Sequence, residues 1–152
     1  MLVSISSDSP VIAALRVCLA NSYALTAITQ TAHWNIEGRN FFELHEELGD
    51  IYSDLFDSVD EIAERIRQLD SYIVADIAGF AVSSTIKGVA VPSSQEAYIT
   101  NVMDGIKELV KSFKVLEAVA AKNSDLETQD LGIKRNEVLQ KTIWKLRSYL
   151  KG

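Results

Sequence analysis

Hydrophobic positions fall into four long helical stretches. Leu44, Leu48, Ile51, Leu55, Val59, Ile62, Ile66 and Leu69 recur three and four residues apart, a single apolar stripe along a helix over 41–69. Ile99, Val102, Ile106, Leu109, Phe113, Leu116 and Val119 draw a second stripe. Its helix is expected to start near Ser93, where Ser93 and Glu96 have capping-box spacing, and to end at Asn123. An earlier helix opens with Ser9 as cap and Pro10 in the first helical position, and runs to about Ile36. Glu37-Gly38-Arg39-Asn40 then breaks the chain, with Gly38 suited to a left-handed C-cap. The last helix begins at Ser124, again three residues before a Glu (Glu127), and runs to about Tyr149.

Residues 70–93 read differently. Tyr72 to Phe80 suits a short helix, and Ser83-Ser84-Thr85, Gly88 and Pro92 mark a loop. The expected fold is therefore all-α: a four-helix bundle with a short helix in the long connection between its second and third helices. One domain over 1–152 is expected, with 1–8 as a short extension. The short break at 37–40 makes the first two helices an antiparallel hairpin.

Composition narrows the picture. A chain of 152 residues suffices for one sizeable core. No apolar run approaches the roughly 20 residues that span a bilayer, so no membrane association is expected. Met1-Leu2-Val3-Ser4 lacks the basic flank and apolar stretch of a signal peptide, which points to a cytoplasmic protein. The lone Cys18 lies in an apolar stretch and reads as a buried filler. A net charge of −6 argues against nonspecific duplex binding and suits a protein that attracts cations.

The chain has two histidines, His33 and His45, one on each arm of the hairpin and about equally far from its turn. They should sit at similar height on neighbouring helices. Asp60 and Glu64 are four residues apart on the second helix and face the same way. These four cannot share a metal within one chain. His45 and Asp60 are fifteen residues apart on one helix, roughly 22 Å at 1.5 Å per residue, whereas metal–ligand bonds are about 2 Å. The choice is a site shared between two chains across a twofold axis, or no site and an ordinary solvated helix face with ion pairs. Phosphate-binding Gly loops, Cys pairs and nucleophile elbows are absent, so few other enzyme classes compete.

At these residues the sequence resembles the Dps family, the mini-ferritins of the ferritin-like superfamily. The resemblance rests on His33-Trp34-Asn35-Ile36-Glu37-Gly38, Phe41-Phe42, Leu44-His45-Glu46, Tyr52 and Asp60-Glu61-Ile62-Ala63-Glu64-Arg65. It continues more weakly through Val82 to Lys87 and Ile143-Trp144. It implies a ferritin-like bundle and a homo-oligomer, a dodecamer with ferroxidase centres at twofold interfaces. His33 and His45 are then nitrogen ligands from one subunit, and Asp60 and Glu64 oxygen ligands from the other. It further implies an iron-storage ferroxidase that oxidises Fe(II) with hydrogen peroxide, or dioxygen, and keeps ferric mineral in a shell. No organic cofactor is expected. Trp34, beside a ligand, either takes up an oxidising equivalent or, as buried Trp usually does, anchors packing, the role expected here. In the family the region of Asp125, Glu127 and Asp130 lines pores that admit cations, with Asp130 the main contributor here. Acids in a helix's first turn also simply complement its dipole.

Two departures matter. The family commonly has a carboxylate four residues after the second histidine, and here that residue is Gly49. Asp50 and Glu46 point about 100° away from Gly49 and His45 respectively. The site is thus expected to hold one iron firmly and a second weakly, or to use water or Asp50. Asp70-Ser71-Tyr72-Ile73 also replaces a Gly-rich turn common in the family. Members that bind DNA usually carry a Lys- or Arg-rich tail, but Met1 to Pro10 has neither residue and only Lys151 follows Arg147, so DNA binding is expected to be weak. The alternative is a DNA-compacting structural protein with an impaired metal site.

Overall fold

The computed structural model describes residues 9–74, 77–88 and 90–152. Residues 1–8, read above as an extension, lie outside the described residues. Five helices follow one another: α1 Pro10–Asn35, α2 Phe41–Gln68, α3 Ile77–Ser83, α4 Gln95–Lys122 and α5 Leu126–Tyr149. The four long ones form the bundle expected from the apolar stripes. α1 packs along α2, α4 along α5, and α1 beside α4, while α2 and α5 touch only sparsely.

The core is what the spacing demanded. Leu48, Leu55, Ile62 and Ile66 on α2 close against Leu15, Leu19 and Leu25 on α1 and Ile99, Ile106, Leu109 and Phe113 on α4. Each such side chain contributes about 1.5–3 kcal/mol by leaving water. Cys18 is fully buried, and burial pushes its thiol up to about 12, which leaves it inert as a nucleophile. Gly105 lets α4 approach α1 closely, since a Cβ there would stand 2.6 Å from Leu25 Cδ1.

Ser9 caps α1 through its Oγ, which accepts from Ile12 N at 3.3 Å, with Pro10 behind it as expected. Gly38 takes a positive φ of 124°, a conformation that favours glycine, and a Cβ there would push the end of the Gln95 side chain, 2.8 Å away, aside.

The other two caps fall one residue later than the spacing suggested. Ser94, not Ser93, caps α4 and accepts from Ala97 N, so Glu96 occupies the second helical position. Asp125, not Ser124, caps α5, because Ser124 is used in the left-handed turn (φ 58°) that reverses the chain after α4. Glu96 and Glu127 therefore complement helix dipoles rather than close capping boxes.

The short helix also moves, from the expected 72–80 to Ile77–Ser83. Arginines draw the preceding backbone out of helix. Arg67 donates to the Ser71 carbonyl at 2.7 Å and lies over the Tyr72 ring, and Arg16 donates to the Tyr72 carbonyl at 2.9 Å. Phe80 of α3 stacks on Tyr23 of α1, with ring centroids 4.9 Å apart.

α1 is long and apolar enough to cross a membrane by length and composition, contrary to the expectation that no stretch approached that limit. Its apolar face is the bundle core, and it also buries Asn21, Ser22, Thr26 and Thr29. Its apolarity comes from having neighbours on several sides, α2, α3 and α4.

Candidate metal centre at the hairpin turn

The hairpin brings His33 and His45 together as their spacing predicted. Their rings stack, with centroids 3.6 Å apart and planes 21° from parallel. Each imidazole bonds the other residue's backbone. His33 Nδ1–H donates to the His45 carbonyl at 2.7 Å, and His45 Nδ1–H donates to the His33 carbonyl at 2.9 Å. The His33 carbonyl lies in the last turn of α1, where helical carbonyls lack partners, so His45 satisfies an orphan.

A carbonyl only accepts, so each Nδ1 carries a proton, and in the neutral ring each Nε2 then keeps a free lone pair. That is the arrangement in which an imidazole is oriented to bind a metal. Phe41 stacks on the outer face of His45, and Tyr52 meets His33 edge-on at 5.2 Å. Four rings in series hold the two imidazoles in place. A Cβ on Gly49 would lie 3.4 Å from His33 Cε1, ordinary contact, so glycine leaves one edge of that ring uncovered.

Asp60 and Glu64 lie elsewhere along α2, both exposed. Among the described residues of one chain, no three His, Cys, Asp or Glu side chains are grouped to hold a metal. Each subunit carries two halves that do not meet. On a 3.6-residue helix, Phe42, His45, Gly49, Phe56, Asp60 and Glu64 fall within an arc of about 100°, opposite the buried stripe. Phe42 is 81% and Phe56 59% exposed on this arc. These large rings left in water lie on the same arc as His45, Asp60 and Glu64, where exposed apolar surface is of the kind that binding partners cover.

Trp34 corrects an expectation. It is 67% exposed, so it anchors no packing within the chain. Asp50 is exposed, one residue round the helix from Gly49. The three acids expected at a pore separate. Asp125 is tied down: its carboxylate accepts from Thr128 N at 3.0 Å and Thr128 Oγ1 at 2.7 Å, and pairs with Arg65 at 2.8 Å. Burial pushes this carboxyl up, but the Thr128 hydrogen bonds and the Arg65 guanidinium outweigh it and hold it below the ordinary value. Asp125 therefore cannot serve as a free pore acid. Asp130 pairs with Lys134 at 2.6 Å, and Glu127 is exposed.

Sequence reading passed over the role of Arg65. It bridges α2 to the start of α5, donating to Thr128, Asp125 and Gln68. Two further ion pairs span the same two helices, Arg135–Asp54 and Lys145–Glu47. Charge pairs thus hold α2 to α5 where apolar packing is thin. The signal was present in Asp60-Glu61-Ile62-Ala63-Glu64-Arg65, but the partners on the α5 side, Asp125 and Thr128, are 60 and 63 residues away.

A four-helix bundle with imidazoles and carboxylates on its inner hairpin is the architecture of ferritin-like proteins, and residues 12–152 match the family model described as a ferritin-like domain. The chain belongs to the Dps family. It is 30% identical over 132 residues to the DNA protection during starvation protein of Helicobacter pylori, covering 86% of this chain and 92% of that one. The protein of the same name from Brevibacillus brevis is 29% identical, covering 87% and 89%. A Dps crystal structure from Vibrio cholerae, described as a member of a superfamily of ferritin-like diiron-carboxylate proteins, superposes with a TM-score of 0.88 at 29% identity, covering 92% and 88%. Dps from Staphylococcus aureus gives 0.88 at 26% identity, covering 92% and 94%. The chain thus stands in a family of iron chemistry.

Proposed function

We propose that the protein is an iron-storage ferroxidase whose centre forms between two subunits. The observation that carries this is the pair of imidazoles with both Nε2 atoms free, on the same face as Asp60 and Glu64. A twofold axis that sets two α2 helices antiparallel supplies His33 and His45 from one subunit and the two carboxylates from its partner, twice over. Exposed Phe42 and Phe56 provide the apolar surface such contact buries. The dodecameric shell and a cytoplasmic setting belong to the same reading.

A mixed imidazole and carboxylate set suits Fe(II) and leaves positions open for the oxidant. Iron is the substrate. Two Fe(II) ions each give one electron, and hydrogen peroxide takes both with two protons as its O–O bond breaks, leaving two waters and two Fe(III). Dioxygen is the slower oxidant in this reading. Anaerobic loading with Fe(II), then peroxide, tests it: ferric absorbance should rise faster than in buffer and travel with the protein on gel filtration. Oxidation at the buffer rate, with iron precipitating apart from the protein, overturns it.

Gly49 makes one iron firm and the second weak. Its contact space accepts a side chain, so Gly49→Asp should fold and raise the number of tightly bound metal ions per site. Isothermal titration with Zn(II) reads this, and an unchanged stoichiometry contradicts it. Weak DNA binding follows from the net charge of −6. A gel shift at low salt and neutral pH should show no complex; a salt-sensitive complex without divalent metal would favour the DNA-compacting alternative.

A further inference from the structure

A groove of about 500 Å³ runs between α2 and α5, where the two helices stand apart. At the α5 end it is lined by Glu127 and Asp130, and on α2 by Glu61 and Glu64. Its cations are unequal. Arg65 is fixed to Asp125, and Arg135 makes a two-pronged pair with Asp54 at 3.0 and 2.6 Å. Lys134 is different: its side chain is 71% exposed, and its only partner in an ion pair among the described residues is Asp130, one turn back on the same helix. Glu61, Glu64 and Glu127 take part in no ion pair among the described residues.

We propose that Lys134 is a tethered counter-ion that competes with incoming divalent cations along the groove that leads to Glu64. The reading rests on Glu64 being an iron ligand. The ammonium lies where acids from two helices converge, bonded to Asp130 Oδ2 at 2.6 Å and within electrostatic reach of Glu61. Asp130 and Glu61 both favour its charged state. A lysine ammonium on a flexible stem gives up one carboxylate for another easily, whereas a two-pronged arginine does not. Lys134 thus screens the acids when no metal is present and yields when a divalent ion arrives. The groove itself is a path, not a binding site. The cost is affinity: a positive charge lining the same groove as Glu64 repels a divalent ion held there, worth a factor of about three to five in water-like surroundings at low salt.

The test is Zn(II) binding to the full, assembled protein at low ionic strength, by competition with a chromophoric chelator. Zn(II) has no redox chemistry, so affinity is read apart from turnover. Lys134→Gln should bind about three to five times more tightly than wild type, with the difference shrinking in concentrated salt. Lys134→Arg, which keeps the charge, should bind no more tightly than wild type. Lys134 is exposed on a helix face, so both variants should keep the wild-type thermal midpoint. The proposal is overturned if Lys134→Gln binds as wild type does, or if Lys134→Arg binds as tightly as Lys134→Gln. Glu64→Gln separates the two levels. If it binds Zn(II) undiminished, the ligand assignment itself fails; if it loses binding while Lys134→Gln equals wild type, only the counter-ion idea does.

Discussion

Replacing His33 and Asp60 with Ala together is expected to slow peroxide-driven Fe(II) oxidation by about two orders of magnitude or more. Loss of groups that merely support metal ligands costs about 10–100-fold in affinity or activity, and under the proposed function two direct ligands go. In that reading every shared site loses one nitrogen from one subunit and one oxygen from its partner. The fold should survive. His33→Ala gives up one hydrogen bond, to the His45 carbonyl, and the ring stack. A bond of that kind is worth about 0.5–1.5 kcal/mol against a typical stability of about 5–15 kcal/mol. Asp60 is exposed and should cost little. Ferric absorbance after anaerobic loading measures the rate, and circular dichroism checks the helices. Equal rates in variant and wild type would remove these residues from the chemistry.

Asn21→Leu is expected to have the largest effect on stability. Asn21 is fully buried in the middle of α1 and uses both ends of its amide. Its Oδ1 accepts from Ser84 Oγ and Thr85 N, both at 2.8 Å. Its Nδ2 donates to Thr85 Oγ1 at 3.0 Å and Ser112 Oγ at 2.7 Å. One side chain thereby ties the connection after α3 to α1 and α4. Leu fills a similar volume but removes all four bonds; Ser84 Oγ keeps Ile86 and Ser112 Oγ keeps the Glu108 carbonyl, while the exposed Thr85 turns to water. The loss is therefore about 2–3 kcal/mol, four bonds partly replaced by other partners and water. In a chain of this size that lowers the thermal midpoint by roughly 4–12 °C. Thermal melts by circular dichroism measure it, and limited proteolysis should find new cleavage near residues 84–92. An unchanged midpoint would mean the network contributes nothing net.

The bundle was legible because its stripes repeat over many turns. Seven apolar positions on α2, from Leu44 to Ile66, leave little freedom in which face turns inward. The histidine pair was legible for a related reason: a short turn fixes the register of a hairpin. Features decided by one backbone angle were not. Ser124 and Asp125 are both good caps, and only the left-handed φ of Ser124 passes the role to Asp125. Residues 71–74 stay out of helix where Arg16 reaches the Tyr72 carbonyl from 56 positions away, a contact no local pattern encodes. The Asn21 network and the three charge pairs between α2 and α5 join residues far apart in the chain, so spacing carried no trace of them. Trp34 read as a packing anchor because buried Trp usually is one; it is instead exposed, as Phe42 is.

The central claim is that one working site draws its imidazoles from one subunit and its carboxylates from another. Mixed assembly tests it directly. One variant lacks the nitrogen ligands (His33→Ala, His45→Ala), and the other lacks the oxygen ligands (Asp60→Ala, Glu64→Ala). Each alone should be inactive. Unfolded together and co-assembled, they form mixed pairs in which one site carries all the defects and the other none, so about half the sites in each mixed pair are intact. Random pairing then restores roughly a quarter of the wild-type rate of peroxide-driven iron oxidation. If the mixture stays as inactive as its parents while mixed pairs are shown to have formed, the site does not cross the interface.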